Sequence, residues 1–528
     1  MNANNFVVQL TMPIFRSAPE LQAALDQLDR ARPAAPAAGQ RPALRSTGGS
    51  WVAAQFGGVL STLALAFSTL TLDAAPAMGP LRVHPQNSRY FANGTKLPDG
   101  SLRAVYLTGS HHWNNLQDSG RIGGPLTNRF DYDDYLRRLL ELNHNFIRLW
   151  AWEGPAYWYQ GGQNDQYYEP LPWARDGKEA ALDGKPRFNL EQFNEEYFKR
   201  LRARVIAARD KGIYVSVMLF QGWSIYSHGY GNPWPGHPFN KANNVNNING
   251  DPEGDGEGKE VHTLKVPEVT RRQEAYVRKV IDTVNDLDNV LYEITNETAL
   301  WSKDWQYHII RYVKTYESGK ARQHPVGITA FDSGRAGSME ALFASPADWI
   351  SPQNDGTSGD YQNDPPAADG RKIIISDTDH LWGVGGGVDW VWKSFARGHH
   401  TIYMDPFRKQ KWFSIDEAGM EAARKAMGRT RVLAEKMNLH AMSPNNALCS
   451  TKYCLANPGH DYLVYQPRAG AFELTLEPGT FSLEWVNPTA DSSAKVETRS
   501  TATSTLRITA PWTGPAVLWV RRTEATPP

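Results

Sequence analysis

At 528 residues the chain is long enough to bury a large core and to hold more than one domain. Its 56 basic and 56 acidic residues balance and no basic stripe stands out, which argues against a nucleic-acid partner. The 18 tryptophans are the strongest compositional signal, because many fall in loops beside Gly, Asn and His, where a flat aromatic face suits a sugar ring as well as it suits packing.

Residues 1–79 read as a leader. The stretch 31–50 is rich in Ala, Pro, Arg and Gly, a composition that favours disorder. An apolar run from Trp51 to Leu72 follows and ends in Asp73-Ala74-Ala75-Pro76-Ala77, a small-residue site of the kind signal peptidases cut, with Arg41 and Arg45 upstream. This predicts export to the periplasm or the medium and no membrane association after cleavage. A single membrane anchor is the competing reading, since the run is about long enough to cross a bilayer.

From 80 to 437, short β-branched runs alternate with longer amphipathic segments, the pattern of parallel strands covered by helices. The predicted strands are Ala104–Thr108, Asn145–Trp150, Tyr214–Phe220, Val290–Ile294, Pro325–Ala330, Trp349–Ser351, Lys372–Ser376 and His400–Met404. The predicted helices are Tyr132–Leu142, Leu190–Lys211, Val269–Leu287, Asp304–Glu317, Val388–Arg397 and Glu417–Lys436. Eight strands over this length, the sixth the weakest, predict an α/β chain built on a (β/α)8 TIM barrel. The segment Asp251-Pro252-Glu253-Gly254-Asp255-Gly256-Glu257 has the alternating carboxylates of a calcium loop, but its twelfth position is His262, so it reads as a solvated acidic loop; no metal or cofactor is expected in the site. From 438 to 528 the pattern changes to short alternating strands with Gly, Pro and Asn turns, predicting a small antiparallel β-sandwich packed on the barrel. Cys449 and Cys454 fit either a hairpin disulfide or two free thiols.

Several strands finish on polar or aromatic residues, and in a barrel the C-terminal strand ends share one face, so these residues are expected to converge. The key stretch is Asn289-Val290-Leu291-Tyr292-Glu293-Ile294-Thr295-Asn296-Glu297, an apolar run that ends in an amide beside a carboxylate. A partly desolvated carboxyl at a strand end has its pKa raised enough to donate a proton near neutral pH. Asn296 next to it can hold a sugar hydroxyl, although an N-cap opening the next helix is the ordinary use of such a residue. Glycoside hydrolysis needs a second carboxyl across the scissile bond. Asp377, delivered by the seventh strand, is the expected nucleophile or base. Asp379 is its competitor, on the same side if the strand continues. Arg148 would hold the nucleophile ionised from a neighbouring strand end, with a barrel-wall ion pair as the structural alternative. His111, His112, Trp113, Trp150, Trp152, Trp223, His380 and Trp382 are candidates for the sugar platform and hydroxyl contacts, though each one also fits simple packing.

Arg148, the Asn296-Glu297 pair and the seventh-strand acid together resemble the clan of retaining (β/α)8 glycoside hydrolases that includes cellulases and mannanases. With a small sandwich after the barrel, the chain over roughly 80–525 looks like the apiosidase-like glycosidases, whose C-terminal module is named for collagen binding. The resemblance implies Glu297 as acid/base and the seventh-strand carboxylate as nucleophile. This chain has Asp where the clan usually has Glu. The shorter side chain widens the carboxyl gap and leaves inversion open, because retaining and inverting geometries separate at about 5 versus 6.5 Å or more. Collagen binding is not carried over. The expected function is an exported glycoside hydrolase acting on a polysaccharide or its side chains. The alternative is a barrel without catalysis that binds glycan or matrix protein through its aromatic rim. A zinc peptidase is disfavoured, since no His-Glu-x-x-His is present.

Overall fold

The structure, a computed structural model, describes residues 75–523 except 123, 155–165, 227, 229–230, 333–335, 408–416, 490–493 and 503. The apolar run Trp51–Leu72, on which the leader reading rests, lies outside the described residues. Among the described residues no helix is long and apolar enough to cross a membrane.

Eight parallel strands close into a barrel: β1 (Thr108–His111), β2 (Phe146–Leu149), β3 (Tyr214–Gln221), β4 (Val290–Asn296), β5 (Val326–Ile328), β6 (Trp349–Ile350), β7 (Ile373–Asp377) and β8 (His400–Met404). The ring shuts where β8 pairs with β1, from Thr401 opposite Thr108 to Met404 opposite His111. β3 and β4 are buried at every position, as a parallel sheet covered on both faces requires. The outer layer is α1 (Tyr132–Glu141), α2 (Glu195–Arg209), α3 (Pro267–Val284), α4 (Lys303–Ser318), α5 (Ser338–Ala344), α6 (Val388–Ala396) and α7 (Glu417–Lys436). Residues 351–372 join β6 to β7 as loop. Strand alternation then sorts side chains. On β4, Val290, Tyr292 and Ile294 share a core with Val277 and Ile281 of α3 and Ile309 and Val313 of α4, whereas Leu291 joins the barrel's inner packing and Glu293 is the next inner position.

Ahead of the barrel, Arg82–Val83, Phe91–Lys96 and Leu102–Val105 form an antiparallel sheet. Leu81 and Phe91 pack with Leu107, Phe146, Tyr214 and Leu291, sealing the barrel at the N-terminal ends of its strands. This divides the strand predicted at Ala104–Thr108. As far as Val105 the chain belongs to the small sheet, and β1 begins only at Thr108. Its Thr-Gly-Ser-His sequence has little intrinsic strand preference and is held by β2 and β8 on either side. The predicted helix Leu190–Lys211 also starts late. Pro186–Phe193 is a hairpin strand against Trp173–Ala180, and α2 opens at Glu195 after Asn194, whose side chain accepts the Glu196 N–H. In the acidic loop, the Asp251 carboxylate is taken by the N–H groups of Gly254, Asp255 and Gly256, while His262 turns inward onto Glu153 and Thr298.

Beyond α7 lie a six-stranded antiparallel sheet, ordered 443–444, 454–457, 461–466, 516–522, 479–486, 494–501, and a two-stranded one of 471–475 with 505–509. Val464, Leu483 and Leu518 face Phe472, Leu474 and Ile508 of the smaller sheet. The alternate residues Leu463, Tyr465, Val517 and Trp519 pack with Trp392 and Phe395 of α6 and Met427 of α7. Cys449 and Cys454 are both buried free thiols.

Candidate active site

Arg148 is the hub of the strand ends. It follows Phe146 on the inner face of β2, and its buried guanidinium uses all three nitrogens. Nε and Nη2 donate to the two oxygens of Glu293 (2.9 and 2.5 Å), and Nη2 also donates to Asn296 Oδ1 (2.8 Å). Nη1 donates to Asp377 Oδ2 (2.7 Å) and Asp379 Oδ2 (3.3 Å). Burial alone would depress its pKa, but Glu293 and Asp377 more than offset this, so Arg148 is a fixed cation among three carboxylates.

Asp377 closes β7 with both oxygens engaged. Oδ1 accepts from His111 Nε2 (2.9 Å) and from the Asp379 N–H (2.9 Å), and Oδ2 accepts from Arg148. Burial pushes its carboxyl up, yet His111 and Arg148 pull harder and hold it well below the ordinary range. The strand stops here. Asp379 sits in the following 3-10 turn, Thr378–His380, which Asp377 caps. It meets Arg148 through one oxygen, and burial and then the charge of Asp377 push its carboxyl up to about 6 against the pull of His111 and Arg148.

Glu297 emerges just past β4 with φ at 45°, a left-handed conformation that a non-glycine residue rarely holds. Its surroundings over-determine it. Gly222 at the end of β3 lets the two backbones touch, since a Cβ there would lie 2.4 Å from the Glu297 carbonyl oxygen, and Trp223 Nε1 donates to Glu297 Oε2. Burial and then the charge of Asp379 raise the Glu297 carboxyl well above its ordinary value, with Asp332 adding to them and Trp223 and Arg148 opposing. β4 and β7 stand three places apart on the ring of eight, so Glu297 and Asp379 reach the mouth from opposite sides.

The other expected residues fall into two layers. Asn296 is buried, its Oδ1 taken by Arg148 and by His380 Nε2 (3.1 Å), its amide facing Gln221 at 3.4 Å. His380 also meets Ser351 Oγ (2.8 Å), and burial depresses it to about 3, leaving it neutral. His111 lies flat on Trp150 (5.4 Å between centroids), with Arg148 over the same indole. Trp152 stacks on Tyr168 (4.4 Å) and donates to the Trp113 carbonyl. Trp150, Trp152 and His112 are thus buried props under the mouth, whereas Trp113 and Trp223 are half-buried and Trp382 is exposed. Sequence reasoning left out Glu293, which anchors Arg148, and Tyr226, whose hydroxyl donates to Asp332 (2.8 Å), the fifth-strand-end acid expected on the rim, beside Glu297. A glutamate inside an otherwise apolar buried strand was the available signal for the first. His111, Asp377 and Asp379 approach closely enough to hold a metal ion, but Arg148 Nη1 already bridges the two acids and supplies the positive charge there.

A family model described as a domain of unknown function (DUF6298) matches residues 160–333, the stretch that carries β3, β4 and Glu297. No curated protein matches the sequence. The backbone is similar to a solved glycoside hydrolase at 12% identity and TM-score 0.52, covering 84% of this chain and 97% of that one. It is also similar to a glycoside hydrolase family 5 protein from Bacteroides vulgatus, at 12% identity and TM-score 0.52, covering 84% and 94%. What the chain shares with these structures is the fold, a closed (β/α)8 barrel.

Proposed function

We propose that the protein is a glycoside hydrolase cleaving O-glycosidic bonds in a polysaccharide or its side chains, with Glu297 as acid/base and Asp379 as the carboxylate that faces the sugar. The observation that carries this is the pairing of Glu297 with Asp379 across the mouth, each with a raised pKa, above an Arg148 that neither can neutralise. Two carboxyls that share a site do not ionise together, so one keeps a proton while the other is charged, as acid and nucleophile must. Glu297 gives its proton to the glycosidic oxygen as the C1–O bond breaks, and Asp379 attacks C1 to form a glycosyl ester. Glu297, now a carboxylate, takes a proton from water, which displaces Asp379 from C1. This double displacement retains the anomeric configuration. Asp377 is assigned a positioning role, because both of its oxygens are committed to His111, Arg148 and the turn.

Replacing Glu297 by Gln or Asp379 by Gly is expected to lower turnover of polymeric substrate about 10³-fold or more. Azide should restore turnover of a dinitrophenyl glycoside to Asp379→Gly but not to Asp377→Gly, and proton NMR of the released sugar reads the stereochemistry. Rescue of Asp377→Gly instead would exchange the two roles, and near wild-type turnover by Glu297→Gln would reject the proposal.

A further inference from the structure

Among the described residues two tryptophans are exposed, Trp301 at 40% and Trp382 at 38%. Both follow at once on strands that supply a carboxyl: Trp301 stands four residues past Glu297, and Trp382 three past Asp379. A single exposed apolar side chain is ordinary; what sets these two apart is that each stands on the loop directly after a carboxyl-bearing strand, at the strand ends where the two acids emerge. Neither indole is loose. Trp301 meets Tyr226 edge-on (5.7 Å), Tyr226 meets His228 (4.1 Å), and His228 lies flat on Trp223 (4.3 Å), whose indole N–H reaches Glu297. A continuous run of rings therefore leads from solvent to the acid. On the other side Trp382 stands edge-on to buried Trp390 (5.5 Å), and its backbone N–H is held by the Thr378 carbonyl (2.8 Å).

We infer that Trp301 and Trp382 are sugar-stacking subsites on the two sides of the scissile bond, and that the substrate is a chain of several sugar units cut at an internal linkage. This rests on the hydrolase reading above. Glu297 must face the leaving oxygen, so Trp301 beside it takes the departing segment. Trp382, beyond Asp379, takes the segment that becomes the glycosyl ester. The C–H face of a pyranose ring covers an indole as another apolar ring would, with no need for a charged partner.

The test uses the full chain carrying Glu297→Gln, run in native gels containing galactomannan, xyloglucan or arabinogalactan. Retardation by at least one polymer is expected, and Trp301→Ala and Trp382→Ala, added separately, should each weaken it about 10-fold or more. In the active chain the same substitutions should lower kcat/KM on that polymer about 10-fold more than on a dinitrophenyl glycoside, and early products of the parent should be fragments of mixed length. Three results would overturn the inference: retardation by none of the polymers, unchanged binding in both tryptophan variants, or release of single terminal sugars only. Failure of the two ideas is separable. Tryptophan-dependent retardation without any hydrolysis by the parent removes the hydrolase and leaves the subsites, while hydrolysis of the aryl glycoside without polymer binding removes the subsites and leaves the hydrolase.

Discussion

Asp377 and Asp379 are separated by one threonine, yet the fold drives their carboxyl groups in opposite directions. The consequence for stability differs in sign. Asp379, raised from 3.8 to about 6, contributes most below about pH 4 and loses that contribution as pH rises through about 6. Asp377, depressed, contributes above its ordinary range and loses its contribution only in strong acid. Asp379→Asn is therefore expected to stabilise the protein at pH 7, a gain that vanishes at pH 4, whereas Asp377→Asn should destabilise it at pH 7. Thermal unfolding at the two pH values checks both, and shifts of one sign for the pair would break the assignment. Where β7 stops was not legible in the sequence: alternation beyond Asp377 assumes that the strand continues, whereas Asp379 stands in a 3-10 turn. Arg148 and Glu297 were legible as strand ends. Glu293 was hidden by its neighbours: within Val290-Leu291-Tyr292-Glu293-Ile294 it looks like an interruption, and only a partner on another strand gives it a purpose.

At the level of elements, the buried parallel strands were the easiest to read, since Tyr214–Gln221 and Val290–Asn296 are apolar runs of the right length. The errors fell where tertiary context overrides local preference. β1 is a strand because its neighbours supply the hydrogen bonds, and Leu190–Phe193 is a hairpin strand although its apolar spacing continues smoothly into α2. The joint between β3 and β4 is another such place, where Gly222 and the left-handed Glu297 are fitted to each other. Gly222→Ala forces a Cβ into the Glu297 carbonyl, so it should cost about 1–3 kcal/mol of stability and displace the acid. The expected result is a fall in kcat larger than any change in KM. Unaltered kcat would mean that Glu297 does not depend on this contact.

In the molecule as a whole, the C-terminal sheets are joined to the barrel through α6 and α7, where Trp519, Val517 and Tyr465 cover Trp392 and Phe395. A chain ending at 437 would bare that apolar face and is expected to aggregate in size-exclusion chromatography, whereas the full chain is expected to elute as a defined species. The opposite end of the cylinder has its own closure, in which Leu81 and Phe91 are wedged among Leu107, Phe146 and Tyr214. A barrel corked at one end is a cul-de-sac. With that end filled, the open face at the C-terminal strand ends is where, on the proposed double displacement, both the departing saccharide and the incoming water would pass.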